Sequence, residues 1–147
     1  MNDARRIRFL FLCAGNSCRC QMAEALARTI GHGFVECSSA GQDGAPVHPL
    51  AIEVMAEIGI DITGQKSRTM EQLLGERFDH VITLREREEK VYPVWPNADV
   101  QGAWSIEDPL KATGTDAERR AAFRRVRDDL RRRMELALLA NKIPSVR

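Results

Sequence analysis

The chain has 147 residues, 44% of them hydrophobic and 29% charged, which suits one domain with a core of ordinary size. Its formal net charge of +1 lacks the basic excess expected of a nucleic-acid binder. No apolar run approaches membrane-spanning length, and the run at 9–12 is too short for a signal peptide, so neither nucleic acid nor membrane is expected as a partner.

Phe9-Leu10-Phe11-Leu12 is a short aromatic and aliphatic run and predicts a buried parallel strand. It ends in Cys13, and Ala14-Gly15-Asn16-Ser17-Cys18-Arg19 follows. A helix is predicted from about Cys20, with Met22, Leu26 and Ile30 on one buried stripe. Strand, tight loop and helix in that order make an anion site. The N–H groups of the first helical turn point into the loop, and the helix dipole favours negative charge there. Gly15 and Asn16 tolerate positive φ, which lets successive N–H groups converge. Ala14, Gly15, Asn16, Ser17, Cys18 and Arg19 are therefore the expected oxyanion-binding set, with Arg19 clamping two oxygens in fork geometry. A field that binds an anion also stabilises a thiolate. A thiol that ordinarily titrates near ~8.5 falls to roughly 3.5–7.5 at such helix ends. Cys13 is thus the expected nucleophile toward a tetrahedral oxyanion.

Gly31-His32-Gly33 is a stop and turn signal, and a second strand is predicted over 34–39. Cys37 within it reads as a small buried hydrophobe. Ser39 falls at the carboxyl end of that strand, where sites form in open α/β sheets. After a loop at 41–46, a helix opens at His48 or Pro49, buries Ala51, Val54, Met55 and Ile58, and ends at Gly59; His48 is expected to face solvent. Residues 65–68 read as a loop, and Thr69-x-x-Gln72 as a capping box for a short helix holding Met70, Leu73 and Leu74. A third strand is predicted over 78–84, and the charge run 85–90 after it reads as a solvated helical face. Tyr92-Pro93-Val94-Trp95-Pro96 is a rigid loop before a fourth strand at 100–106, which Glu107-Asp108-Pro109 follows. The last helix starts at the capping box Thr115-x-x-Glu118 and runs to about Asn141, burying Phe123, Val126, Leu130, Met134 and Leu138. Its interleaved arginines and acids make a soluble face. Strands alternating with helices predict an α/β fold with a mostly parallel sheet.

Cys13, Cys18, Cys20 and Cys37 do not form a metal-ligand pattern. No Cys-x-x-Cys pair exists and His32, His48 and His80 fall in separate elements, so no metal is expected. A chain of this size needs no disulfide staples, and thiol chemistry in a reducing, cytoplasmic compartment is expected.

Cys-x5-Arg at the first strand–helix junction, Gln21-Met22-Ala23-Glu24 behind it, Ser39-Ala40-Gly41, Gly59-Ile60-Asp61 and Asp108-Pro109 resemble the low-molecular-weight protein tyrosine phosphatase superfamily, which includes arsenate reductases. The resemblance implies one domain over 1–147: a three-layer α/β fold with a four-stranded parallel sheet in the order 2-1-3-4. It implies Asp108 as general acid beside the nucleophile Cys13 and the clamp Arg19, with Pro109 aiming the acid. Ser39 either orients Asn16, as its counterpart does in the family, or is a turn serine; Gln65 stands where phosphatases carry a network histidine.

Both branches start with thiolate attack while amides and guanidinium hold the oxygens. Phosphatases then hydrolyse a cysteinyl phosphate; reductases resolve a cysteinyl arsenic adduct with a second thiol. Gln21 in place of the phosphatase proline, Leu110 in place of a stacking tyrosine, and a loop at 41–46 without an aromatic wall favour arsenate. The positions matching the thioredoxin-coupled relay cysteines are Arg85 and Tyr92, so the second thiol is Cys18, Cys20 or an external thiol. Cys20 replaces the family's serine or threonine, whose hydroxyl is a stronger donor to the nucleophile. The expectation is an arsenate reductase with no bound cofactor, served by glutathione, mycothiol or a thioredoxin or glutaredoxin system. Its partners would be an arsenate- or phosphate-type oxyanion and a thiol-redox protein. A phosphomonoester-hydrolysing phosphatase is the alternative, and a non-catalytic oxyanion-binding or redox-sensing protein the third reading.

Overall fold

The computed structural model describes residues 6–13, 18–41, 46–66, 68–86 and 94–141. Five strands form one sheet: β1 (Ile7–Leu12), β2 (Val35–Gly41), β3 (Arg68–Thr69), β4 (Phe78–Arg85) and β5 (Ala98–Ser105). Their order is β3-β2-β1-β4-β5, and every neighbouring pair is parallel. Four helices accompany them: α1 (Arg19–Ile30), α2 (Pro49–Ala56), α3 (Met70–Leu73) and α4 (Asp116–Ala140), with a 3-10 turn at Pro109–Lys111.

The expected four-stranded order is therefore corrected by one strand. The four anticipated strands lie side by side as predicted, and a fifth adds at the β2 edge. There Arg68 and Thr69 pair with Ala40 and Gly41. A strand of two residues has no periodicity to read, so the segment at 65–68 looked like loop. The same pairing carries β2 to Gly41, two residues past its expected end.

Side chains alternate across β1 and found two cores. Phe9, Phe11 and Cys13 pack with Met22 and Leu26 of α1, Val54 of α2, and Phe123, Leu130 and Met134 of α4. Leu10 and Leu12 join Ala40, Leu73, Phe78, Val81 and Trp95 on the opposite face. Full burial of such a side chain contributes about 1.5–3 kcal/mol. Among the described residues, helices thus cover the first face thickly, and α3 with the Trp95 segment packs on the second.

Both capping boxes form. Thr69 and Gln72 exchange backbone and side-chain hydrogen bonds at the start of α3, as do Thr115 and Glu118 at the start of α4. Leu74, expected within α3, is its exposed C-cap. Gly59 closes the turn after α2 with φ +81°, a conformation that L side chains rarely adopt. His48 does not face solvent as a bystander. It is the half-buried N-cap of α2, where its Nδ1 accepts the Leu50 N–H at 3.1 Å and its ring tilts against Phe123 at 5.0 Å. Burial and the charge of Arg119 hold its pKa below the usual histidine value.

Candidate active site

β1 delivers Cys13 to the carboxyl end of the sheet. Its N–H still donates to the Ala40 carbonyl at 3.2 Å, so pairing with β2 extends one residue past the strand. Ala14, Gly15, Asn16 and Ser17, expected to cradle the oxyanion, lie outside the described residues. The chain is described again at Cys18, the N-cap of α1, whose side chain makes no capping bond and whose carbonyl accepts the Met22 N–H at 2.9 Å. The first turn of α1 holds no acidic residue, so no carboxylate there competes for its N–H groups. Arg19 and Cys20 occupy that turn, and both are buried.

Cys13 is not present as a thiolate. Its sulfur is joined to that of Cys20 in a disulfide spanning seven positions, with Cα atoms 6.2 Å apart. Joined this way, neither sulfur carries a proton to lose. Cys18 is buried alongside, outside the disulfide.

Arg19 lies 3% exposed at the inner wall. Its Nη1 donates to the Ile106 carbonyl at 3.2 Å, and its Nη2 stands 3.9 Å from Asp108 Oδ2. Residues 89 positions apart in sequence (108 less 19) therefore approach each other at the start of α1. Asp108 is held from two sides. Its Oδ1 accepts the Leu110 N–H at 3.0 Å as the cap of the 3-10 turn, and its own N–H donates to Glu86 Oε2 at 3.0 Å. Glu86 also pairs with Lys111 Nζ at 2.5 Å. Sequence reasoning missed Glu86, which stood inside the run read as a solvated face. Its two partners lie 22 and 25 positions away, and no local signal carries such a link. The remainder of that run, 87–90, and Tyr92 lie outside the described residues.

Ser39 is not a turn serine. It is buried within β2 and its Oγ donates to Glu24 Oε1 at 2.6 Å. Glu24 pairs in turn with Arg28, whose Nη1 donates to Gln65 Oε1 at 3.1 Å. Gln65 Nε2 closes the chain on Gln21, at 2.8 Å to the side-chain oxygen and 3.0 Å to the carbonyl. Ser39, Glu24, Arg28, Gln65 and Gln21 thus form one polar strip along α1, behind the loop. The counterpart expected for Ser39, Asn16, is outside the described residues. Cys37 lies on the same strip and donates to the Glu24 carbonyl at 3.1 Å. Burial first, and then the negative charge of Glu24, pushes its thiol up to about 12, so it stays protonated.

Among the described residues, no cluster of three or more histidine, cysteine or acidic side chains is arranged to hold a metal, and no helix is long and apolar enough to cross a membrane.

The family model of low molecular weight phosphotyrosine protein phosphatases matches residues 8–143. The chain belongs to that family. As a member of it, this chain is similar to the arsenate reductase of Halalkalibacterium halodurans, with 43% identity over 125 residues that make up 85% of this chain and 90% of that one. It is similar to the glutaredoxin arsenate reductase of Synechocystis sp., with 38% identity over 86% of this chain and 92% of the relative. A solved structure described as an arsenate reductase in the phosphate binding state superposes with a TM-score of 0.77 at 37% identity, covering 93% of this chain and 98% of that one. Placed on this family fold, the Cys13–Arg19 segment is the strand-to-helix junction of β1 and α1, and Asp108 follows β5.

Proposed function

We propose that the whole chain, 1–147, is one enzyme domain of the cytoplasm that reduces arsenate to arsenite. Cys13, released as a thiolate, attacks arsenic while Arg19 and the N–H groups of 14–18 hold the oxygens. Asp108 hands a proton to the departing oxygen, which leaves as water. A second thiol then attacks the Cys13 sulfur. The sulfur–arsenic bond breaks with its electron pair on arsenic, arsenite leaves and a disulfide remains. An external thiol, either a low-molecular-weight one or a thiol-redox protein of the glutaredoxin or thioredoxin class, restores the pair.

One observation carries the reading. The extended likeness to arsenate reductases coincides with the approach of Arg19 and Asp108, 3.9 Å apart, at the start of the helix whose Cys20 is bonded to Cys13. The family itself supports phosphomonoester hydrolysis as the second reading, since the same three residues would form and break a cysteinyl phosphate.

One assay series separates these. The protein is reduced, then given arsenate with glutathione, mycothiol or a thioredoxin or glutaredoxin system, and in parallel an aryl phosphate. Arsenite formation with one reductant is the expected outcome. Phosphate release alone would replace the reading with the phosphatase one. Neither product, with measurable phosphate binding, would leave an oxyanion-binding or redox-sensing protein.

A further inference from the structure

We propose that Cys20 is the resolving thiol, so that arsenate reduction is completed within the β1–α1 junction itself. This rests on the arsenate-reduction reading above. Arg85 and Tyr92, which carry no thiol, stand where the family resemblance implies relay cysteines. Three other cysteines remain. Cys37 donates to the Glu24 carbonyl at 3.1 Å and belongs to the strip behind the loop. Cys18 is buried outside the disulfide. Cys20 alone is bonded to Cys13, with Cα atoms 6.2 Å apart.

Cys13 and Cys20 are both buried and within bonding reach of each other. Cys20 is already in place and gains the advantage of an intramolecular reaction. It lies in the first turn of α1, at the end of the helix where the dipole favours negative charge. That turn carries no acidic side chain to oppose it.

The step balances. Cys13 thiolate first displaces a protonated oxygen from arsenic(V). Cys20 thiolate then attacks the Cys13 sulfur, forming the sulfur–sulfur bond. The sulfur–arsenic bonding pair stays on arsenic, which leaves as arsenite(III). Two thiols lose two electrons and arsenic gains them. Two equivalents of an external monothiol, or one dithiol, return the pair to the reduced form. Cys20 thus takes the position of a hydroxyl donor in relatives and gives it a redox role.

The test is a single turnover of the intact reduced protein, stripped of free reductant and mixed with arsenate. Arsenite is counted, and disulfides are mapped by mass spectrometry after acid quench and alkylation. The expected result is about one arsenite per chain with Cys13 linked to Cys20. Cys20→Ser and Cys20→Thr restore the side chains usual at this position and so guard against a folding artefact. Each should release arsenite at least about tenfold more slowly without added thiol. A Cys13–Cys18 disulfide in the wild type overturns the proposal but leaves arsenate reduction standing. So does wild-type arsenite release that requires an external thiol, or release from Cys20→Ser at the wild-type rate and yield. No arsenite from the wild type with any reductant removes the underlying reading as well.

Discussion

The two ends of the sheet handle charge in opposite ways. At the amino end, Arg8 Nη2 pairs with Glu76 at 2.7 Å and its guanidinium lies 4.8 Å from the centre of the Phe78 ring. The Arg8 N–H donates to Asp79 Oδ2 at 2.8 Å, Arg77 reaches Asp79 at 3.1 Å, and Arg77 also pairs with Asp99. The arginines, Glu76 and Asp99 are partly exposed, so those pairs contribute little to stability each, while the buried Asp79 is satisfied by both the Arg8 N–H and Arg77. At the carboxyl end, Arg19 is buried, donates to a carbonyl, and stands 3.9 Å from Asp108, beyond hydrogen-bonding distance. Mutual satisfaction at one end marks structure. At the other, a buried arginine stands 3.9 Å from a carboxylate at the carboxyl end of the sheet, a placement that suits the anion chemistry proposed above.

Substitutions at the two ends should therefore diverge. Short of replacing the nucleophile, Arg19→Lys is expected to have the largest effect. A lysine keeps the charge but loses the fork, so arsenate and aryl phosphate turnover should fall by about 10²–10³-fold in steady-state kinetics. A loss of only twofold would place the oxyanion clamp elsewhere. Asp108→Asn removes the proton donor and should slow phenyl phosphate hydrolysis by about 10²-fold. Nitrophenyl phosphate, whose leaving group needs no proton, should be slowed much less; equal losses on both esters would contradict the acid role. At the amino end, Arg77→Gln should lower unfolding stability by about 1 kcal/mol or less in urea melts and leave turnover intact.

The smallest effect belongs to neither end. His48 titrates below its ordinary value when folded, so the unfolded chain binds more protons in that range. Stability should fall as pH drops below about 6.5, because protonation opposes the Nδ1 acceptor that caps α2. Thermal melts across that range should show a slope that His48→Asn, which keeps a cap without the titration, flattens. An unchanged slope in the variant would assign the pH dependence to another group.

What the sequence disclosed follows the range of each interaction. Both capping boxes, the Gly59 turn and the stripe of α4 are local patterns, and all were legible. The strand and the helix that flank residues 14–17 were equally plain, since they adjoin in sequence. Less was visible where partners are distant. β3 exists only because β2 runs beside it, and Glu86 matters only because Asp108 folds back onto it. Ser39 illustrates the middle case. Its place at the strand end was readable, but its partner Glu24 is set by how α1 lies on the sheet. Cys18 and Cys20 were both open on paper as the second thiol, and in the structure it is Cys20 that is bonded to Cys13.

Cys13→Ser tests the central claim most directly. The hydroxyl is nearly isosteric but stays protonated at neutral pH, so the cradle should survive without its nucleophile. The variant should still bind phosphate in an equilibrium titration, while arsenite formation and aryl phosphate hydrolysis both fall by at least about 10³-fold. Turnover of either substrate at the wild-type rate would contradict the account.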